Sequence, residues 1–143
     1  LHRCRLDLSR GSVHTDRITN RTCEFAMVNP DRQGQCARYA WMAVAERETG
    51  NDPLQAIQKL DLSSGATHTW SAAPRGFVSE PLMVRRPGAE AEDDGWVMDL
   101  IWNGARQASD LVILNARDLS EVAVVELPLA VPHGLHGSWA PTP

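Results

Sequence analysis

Apolar residues recur at every second position in two stretches, Gln55-Ala56-Ile57-Gln58-Lys59-Leu60-Asp61-Leu62 and Glu121-Val122-Ala123-Val124-Val125-Glu126-Leu127. Successive side chains of an extended chain point to opposite faces, so this period predicts half-buried β-strands. Such stretches are punctuated by Ser63-Ser64-Gly65, Pro87-Gly88, Asp94-Gly95 and Asn103-Gly104, where glycine accepts a positive φ and tight turns are predicted. The one weak helical candidate, 41–48 from Trp41 to Glu48, opens with bulky residues that serve a strand equally well. The predicted fold class is all-β.

A repeat organises these strands. Leu6-Asp7-Leu8-Ser9-Arg10-Gly11 returns as Leu60-Asp61-Leu62-Ser63-Ser64-Gly65 and, in degenerate form, as Leu114-Asn115-Ala116-Arg117-Asp118-Leu119, with 54 residues separating each copy from the next. A strand followed by a tight turn, repeated at a period near ~50, marks propeller blades, small antiparallel sheets that bury their faces only against neighbouring blades. The competing explanation is a coincidence of common turn residues. On the propeller reading the chain holds about two and a half blades, too few to close a ring. Leu1 stands where a start would have Met, and the opening residues already read as strand and turn, as if the chain begins in mid-fold.

Charge narrows the partners. The 143 residues carry 14 Lys+Arg against 18 Asp+Glu, a formal net charge of −4, scattered rather than gathered into the basic stripe that phosphates require. Nucleic acid is not an expected partner. No apolar run approaches the ~18–20 residues needed to span a bilayer, which leaves only peripheral membrane contact through regions outside this chain. Cys4, Cys23 and Cys36 form no Cys-x-x-Cys pair, and an odd number suits a reduced, cytoplasmic setting.

Two histidines and two glutamates are candidates for chemistry. Near the end of the chain, Pro132-His133-Gly134-Leu135-His136-Gly137 places two imidazoles three residues apart on a backbone fixed by proline and glycine. Imidazole suits Zn, Fe, Cu or Ni, but the pair alone equally describes exposed turn residues. Glu24 in Cys23-Glu24-Phe25 and Glu80 in Val78-Ser79-Glu80-Pro81 are carboxylates among apolar neighbours, costly to bury unpaired. Each either meets an arginine or an edge position, or accepts the free N–H of a ligating histidine and fixes its tautomer.

Ser79-Glu80-Pro81-Leu82-Met83-Val84-Arg85-Arg86-Pro87, then Glu92-Asp93-Asp94-Gly95-Trp96, then the ending from Val131-Pro132 to His136-Gly137-Ser138-Trp139 occur in that order. With these motifs the chain resembles the carotenoid cleavage oxygenases, a family of carotenoid, apocarotenoid and lignostilbene oxygenases and the retinal pigment epithelium isomerohydrolase, over nearly its whole length. The resemblance implies a seven-bladed β-propeller with Fe(II) on its axis, held by four histidines, three of them hydrogen-bonded to glutamates. Residues 1–143 would be the C-terminal blades of that single domain, an incomplete ring whose N-terminal blades lie upstream. By the family pattern His136, in the last His-Gly motif, is the one iron ligand here. Glu80 would orient His136, and Glu24, in the position of a Glu-Phe-Pro motif, would orient a histidine upstream. His2, His14, His68 and His133 match no ligand motif. Ala26, Arg85 and Asn115 depart from the pattern without touching a proposed ligand.

The expected activity of the intact protein is cleavage of a conjugated C=C bond of a carotenoid, apocarotenoid or stilbene with O2, giving two carbonyl products. The rivals are a non-catalytic binding or scaffolding propeller and an inactive truncated remnant. The run Glu90-Ala91-Glu92-Asp93-Asp94-Gly95 lacks the alternating oxygen ligands of a calcium loop and is predicted to be a solvated turn, and the five tryptophans are predicted to pack blades. One imidazole cannot hold Fe(II) against solvent and buffer ligands. The 143-residue chain by itself is therefore predicted to give no oxygenase turnover, and stoichiometric alkene cleavage by it would contradict this reading.

Overall fold

The computed structural model describes residues 1–134 and 136–140. Its strands are β1 (His2–Asp7), β2 (Ser12–Arg17), β3 (Cys23–Met27), β4 (Tyr39–Ala45), β5 (Leu54–Asp61), β6 (Thr67–Ser71), β7 (Gly76–Phe77), β8 (Leu82–Arg85), β9 (Gly95–Asn103), β10 (Ala108–Asn115) and β11 (Glu121–Glu126). A single 3₁₀ turn, Pro30–Arg32, joins β3 to β4, capped by Asn29, whose side-chain oxygen accepts the Asp31 N–H. The segment weighed as a helix, 41–48, lies mostly in β4, because its bulky residues pack on both sides of a sheet.

Every pairing is antiparallel. β1 and β2 form a hairpin, and β3-β4-β5-β6 form a four-stranded meander. In the third sheet, β11-β10-β9, the far edge of β9 is shared by two short strands. β7 pairs with Phe77 opposite Trp102, and β8 pairs from Leu82 opposite Met98 to Arg85 opposite Gly95. The sheet is thus four strands wide, with an edge strand interrupted over residues 78–81. Two four-stranded meanders and a hairpin match the blade period read from the repeat.

The three copies of the repeat sit at three equivalent hairpin turns, β1–β2, β5–β6 and β10–β11. In the first, Asp7 Oδ1 accepts the Ser9 N–H, the Ser9 hydroxyl and the Arg10 N–H. In the second, Asp61 Oδ1 accepts the same three bonds from Ser63 and Ser64. The aspartate thereby mimics a backbone turn. The sixth residue has φ +60 at Gly11 and +77 at Gly65, where a Cβ is disfavoured; the third copy holds Leu119 there at φ +60, and its side chain is buried in the core. The Arg38 guanidinium, then the Ser63 hydroxyl, hold the Asp61 carboxyl well below the usual carboxylate range.

Period-two patterning led to half-buried strands, and both examples depart from it. β5 is buried on both faces. On one side Ile57 joins Trp41 and Ala43 against Val78, Met83, Val97, Ile101, Val112 and Leu114 of the next sheet. On the other, Ala56 and Leu60 join Met42 and Val44 beneath Leu1, Ile18 and Val28. β11 is an edge strand with little cover, and Val122, Val124 and Val125 are exposed. A central blade strand is sandwiched between two neighbours, whereas the last strand of a blade is covered least.

The acidic run is a correction to the solvated turn. Glu92 Oε1 accepts the backbone N–H groups of Arg38 and Tyr39, both at 2.8 Å. Asp93 meets the Lys59 ammonium at 2.6 Å; Lys59 also donates to the Arg117 carbonyl at 2.8 Å and lies 4.0 Å from the Tyr39 ring centroid. The run clamps one blade to the next through a lysine whose side chain is only 5% exposed. Deleting one partner of such a pair leaves a buried charge unmatched, at a cost of about 3 kcal/mol. Asp93→Ala in the intact protein is expected to lose stability of that order in denaturant unfolding, and Lys59→Met combined with Asp93→Ala to recover most of it. A silent Asp93→Ala would show that the clamp is dispensable.

Candidate functional site

The interruption between β7 and β8 carries Glu80. Ser79 N–H leaves the strand ladder and donates to Asp99 Oδ1 on β9 at 3.1 Å, while Pro81, fully buried, fixes the backbone beyond. Glu80 is thereby turned out of the sheet toward the chain returning after β11. Its Oε1 lies 3.2 Å from Nδ1 of His136, and its Oε2 accepts the Gly137 N–H at 2.6 Å. One carboxylate holds both the ring and the backbone that carries it. A Cβ at 137 would stand 3.3 Å from the end of the Leu82 side chain, a tight contact that the leucine would have to yield to.

The ring is held from a second side. Phe25 of the preceding blade meets His136 edge to face, with centroids 6.2 Å apart and planes at 89°. Phe25 sits at the bulge of β3 between Glu24 and Met27, with φ +56, an uncommon value for a bulky residue. The two candidate glutamates therefore occupy equivalent places, each at an irregularity in the first edge strand of its sheet. Glu80 is brought to His136. Glu24 is exposed, and no hydrogen bond joins it to His136. His2, His14, His68 and His133 are exposed.

A carboxylate at Nδ1 favours the tautomer with its N–H there, which leaves the Nε2 lone pair directed away. The His136 side chain is 81% exposed, so that nitrogen is accessible. These donors fit an implied iron as one neutral ligand with its orienting carboxylate. Among the described residues no group of three or more His, Cys, Asp or Glu side chains converges on a metal position.

The sequence reading missed Asp99. It shares a cavity of about 430 Å3 with Glu80, His136, Leu82, Leu111 and Trp139. Asp99 is 2% exposed, between Val97 and Ile101 on the core face of β9, and its Oδ2 has no hydrogen-bond partner among the described residues. Burial pushes its carboxyl up to about 8, the nearby Glu80 adding to the shift and the Ser79 N–H opposing it. An acid at the same phase as two core residues was the available signal.

The family model described as retinal pigment epithelial membrane protein matches residues 1–141. The chain is 45% identical over 144 residues to the apocarotenoid-15,15'-oxygenase of Synechocystis, covering 99% of the chain and 29% of that protein. It is 33% identical over 146 residues to a carotenoid cleavage oxygenase of Mycobacterium tuberculosis, with the same coverages of 99% and 29%. It is 30% identical over 154 residues to lignostilbene-alpha,beta-dioxygenase isozyme III of Sphingomonas paucimobilis, covering 98% and 31%. The crystal structure of cobalt-substituted Synechocystis apocarotenoid oxygenase superposes with a TM-score of 0.96 at 44% identity, over 99% of this chain and 30% of that one. The chain thus spans less than a third of the length of these relatives.

Asp99 sets a pH dependence. An acid whose folded pKa is raised keeps its proton in the fold after the unfolded chain has lost it, so stability falls as pH rises. The window runs from the ordinary value of 3.8 to about 8. In the intact protein, Asp99→Asn is expected to gain stability over the parent progressively between those limits in thermal unfolding; a difference independent of pH would contradict the protonated, buried carboxyl.

Proposed function

Because the chain belongs to the retinal pigment epithelial membrane protein family, that of the carotenoid cleavage oxygenases, we propose that it forms the C-terminal blades of a non-haem Fe(II) dioxygenase. The ring would have seven blades, the others lying upstream. The single observation that supports this most is the Glu80 carboxylate gripping both His136 Nδ1 and the Gly137 N–H. That geometry spends a charged group on aiming one imidazole nitrogen outward, which a merely structural histidine does not need.

In this reading His136 Nε2 is one of four imidazole ligands to iron, and Glu80 fixes its tautomer and raises its basicity. Glu24 would do the same for a histidine upstream of this chain. Phe25, edge to face with the His136 ring, limits its rotation. Fe(II), when bound by neutral ligands, would supply open positions for O2 and so the oxidative cleavage of a conjugated C=C bond to two carbonyl groups. The substrate class would be an apolar polyene or stilbene, supported by the named activities of the similar proteins. Cobalt substitution in the Synechocystis enzyme supports a transition-metal site and offers Co(II) as a spectroscopic probe. No helix among the described residues is long and apolar enough to cross a membrane. The unpaired Cys4, Cys23 and Cys36 support a reduced, cytoplasmic setting for the intact protein, with any membrane contact peripheral and made by other regions.

The intact protein is expected to hold one iron per chain and to cleave an apocarotenoid or a stilbene with O2. His136→Ala should abolish both iron retention and turnover, and Glu80→Ala should weaken metal affinity roughly 10–100-fold. Metal analysis and product chromatography on the variants read these effects. An intact protein that holds no iron, and that loses no stability on His136→Ala, would favour the scaffolding propeller.

A further inference from the structure

An aspartate at the core phase of β9 is unfavourable on packing grounds. Val97 and Ile101, two residues to either side, belong to the inter-blade core, and Asp99 is as buried as they are. A carboxyl there, with one oxygen left without a partner, costs more than an apolar side chain of similar size. Its Oδ1 accepts the N–H of Ser79 at 3.1 Å, a bond that reaches off its own strand. That N–H belongs to the residue before Glu80, inside the interruption between β7 and β8. Beyond Glu80 the chain is fixed by buried Pro81 and re-enters the ladder at Leu82, opposite Met98.

We infer that Asp99 is a positioning residue: by holding the Ser79 N–H it pins the strand interruption that carries Glu80, and so sets how His136 presents Nε2 to a metal. The inference rests on the proposed role of His136 and Glu80, and extends it to a residue that touches neither metal nor substrate. Glu80 is then held at both ends. Asp99 and Pro81 fix its backbone, and His136 with Gly137 fixes its carboxylate. Without the Oδ1 acceptor, the Ser79 amide would seek another partner and residues 78–81 would relax toward a continuous strand along β9. The side chain of Glu80 would swing with them, since register along a strand decides which face a residue takes.

The role separates from a structural one because the two predict opposite signs. An apolar residue at 99 removes a buried, partly unsatisfied carboxyl, so Asp99→Leu should unfold at the same denaturant concentration as the parent or a higher one. It should nevertheless bind metal more weakly. Apo-protein of the intact chain would be titrated with Co(II), following the ligand-field absorption bands. Asp99→Leu and the smaller Asp99→Ala are expected to raise the Co(II) dissociation constant about tenfold and to shift the bands, as loss of an orienting contact does. Asp99→Asn, whose amide oxygen can still accept from Ser79, should stay within about twofold of the parent. Asp99→Ala keeps the test open if the larger leucine prevents folding. Parent-like Co(II) affinity in the folded Leu or Ala variant would overturn the inference while leaving His136 as ligand. Parent-like affinity in His136→Ala would overturn the underlying reading, and the inference with it.

Discussion

The central sheet, β3–β6, has two apolar faces and, among the described residues, no α-helix to cover them, so each face is buried against a neighbouring part of the chain. The four-stranded meander β3–β6 shows the consequence: Ile57 and Trp41 face one neighbour while Ala56, Leu60 and Met42 face the other. Packing on both faces forces the polar residues of β5 to find partners inside the stack. Gln58 bonds Thr69, and Lys59 reaches across to Asp93 of the next blade. The acidic run before β9 is therefore part of the inter-blade contact, and Glu92 closes it by capping the backbone at Arg38 and Tyr39. Stability and the alignment of successive blades have a common origin in this interface.

That alignment is also what builds the site. The first edge strand of each of the two larger sheets is irregular, bulged after Glu24 in one and interrupted around Glu80 in the other. A regular strand would leave both carboxylates on the pleat of a sheet. An irregular one frees a side chain to face the chain that returns after β11, where Glu80 takes His136 and Gly137 together. Phe25 comes from the neighbouring blade, so the environment of the ring depends on how the two blades stack. The strained φ of Phe25 is tolerated where the surrounding core over-determines it.

Much of the fold was legible because its signals are local. The Leu-Asp-Leu-Ser turn is readable wherever aspartate and serine stand two residues apart, since the hydrogen bonds that make it span at most three residues. The pairing of Glu80 with His136 spans 56 residues, and only the resemblance in motif order brought it within reach of the sequence. Contacts set by stacking were not legible. Lys59 with Asp93, and Phe25 with His136, join different blades, and no periodicity along one strand reports what lies on the sheet opposite. Leu119 at a positive φ also broke the local rule, because its burial offsets a conformation that glycine would take more easily. Asp99 was passed over as one polar residue in an apolar strand, although its phase put it in the core.

The central claim is that Glu80 turns the Nε2 of His136 toward a metal on the inner side of these blades. Crystals of the intact protein grown with Fe(II), with anomalous diffraction collected at the iron edge, address it directly. The account predicts an anomalous peak within bonding distance of His136 Nε2, with Nδ1 still on the Glu80 carboxylate. A peak that lies elsewhere, or a His136 whose Nε2 is bonded to another protein group, would contradict it.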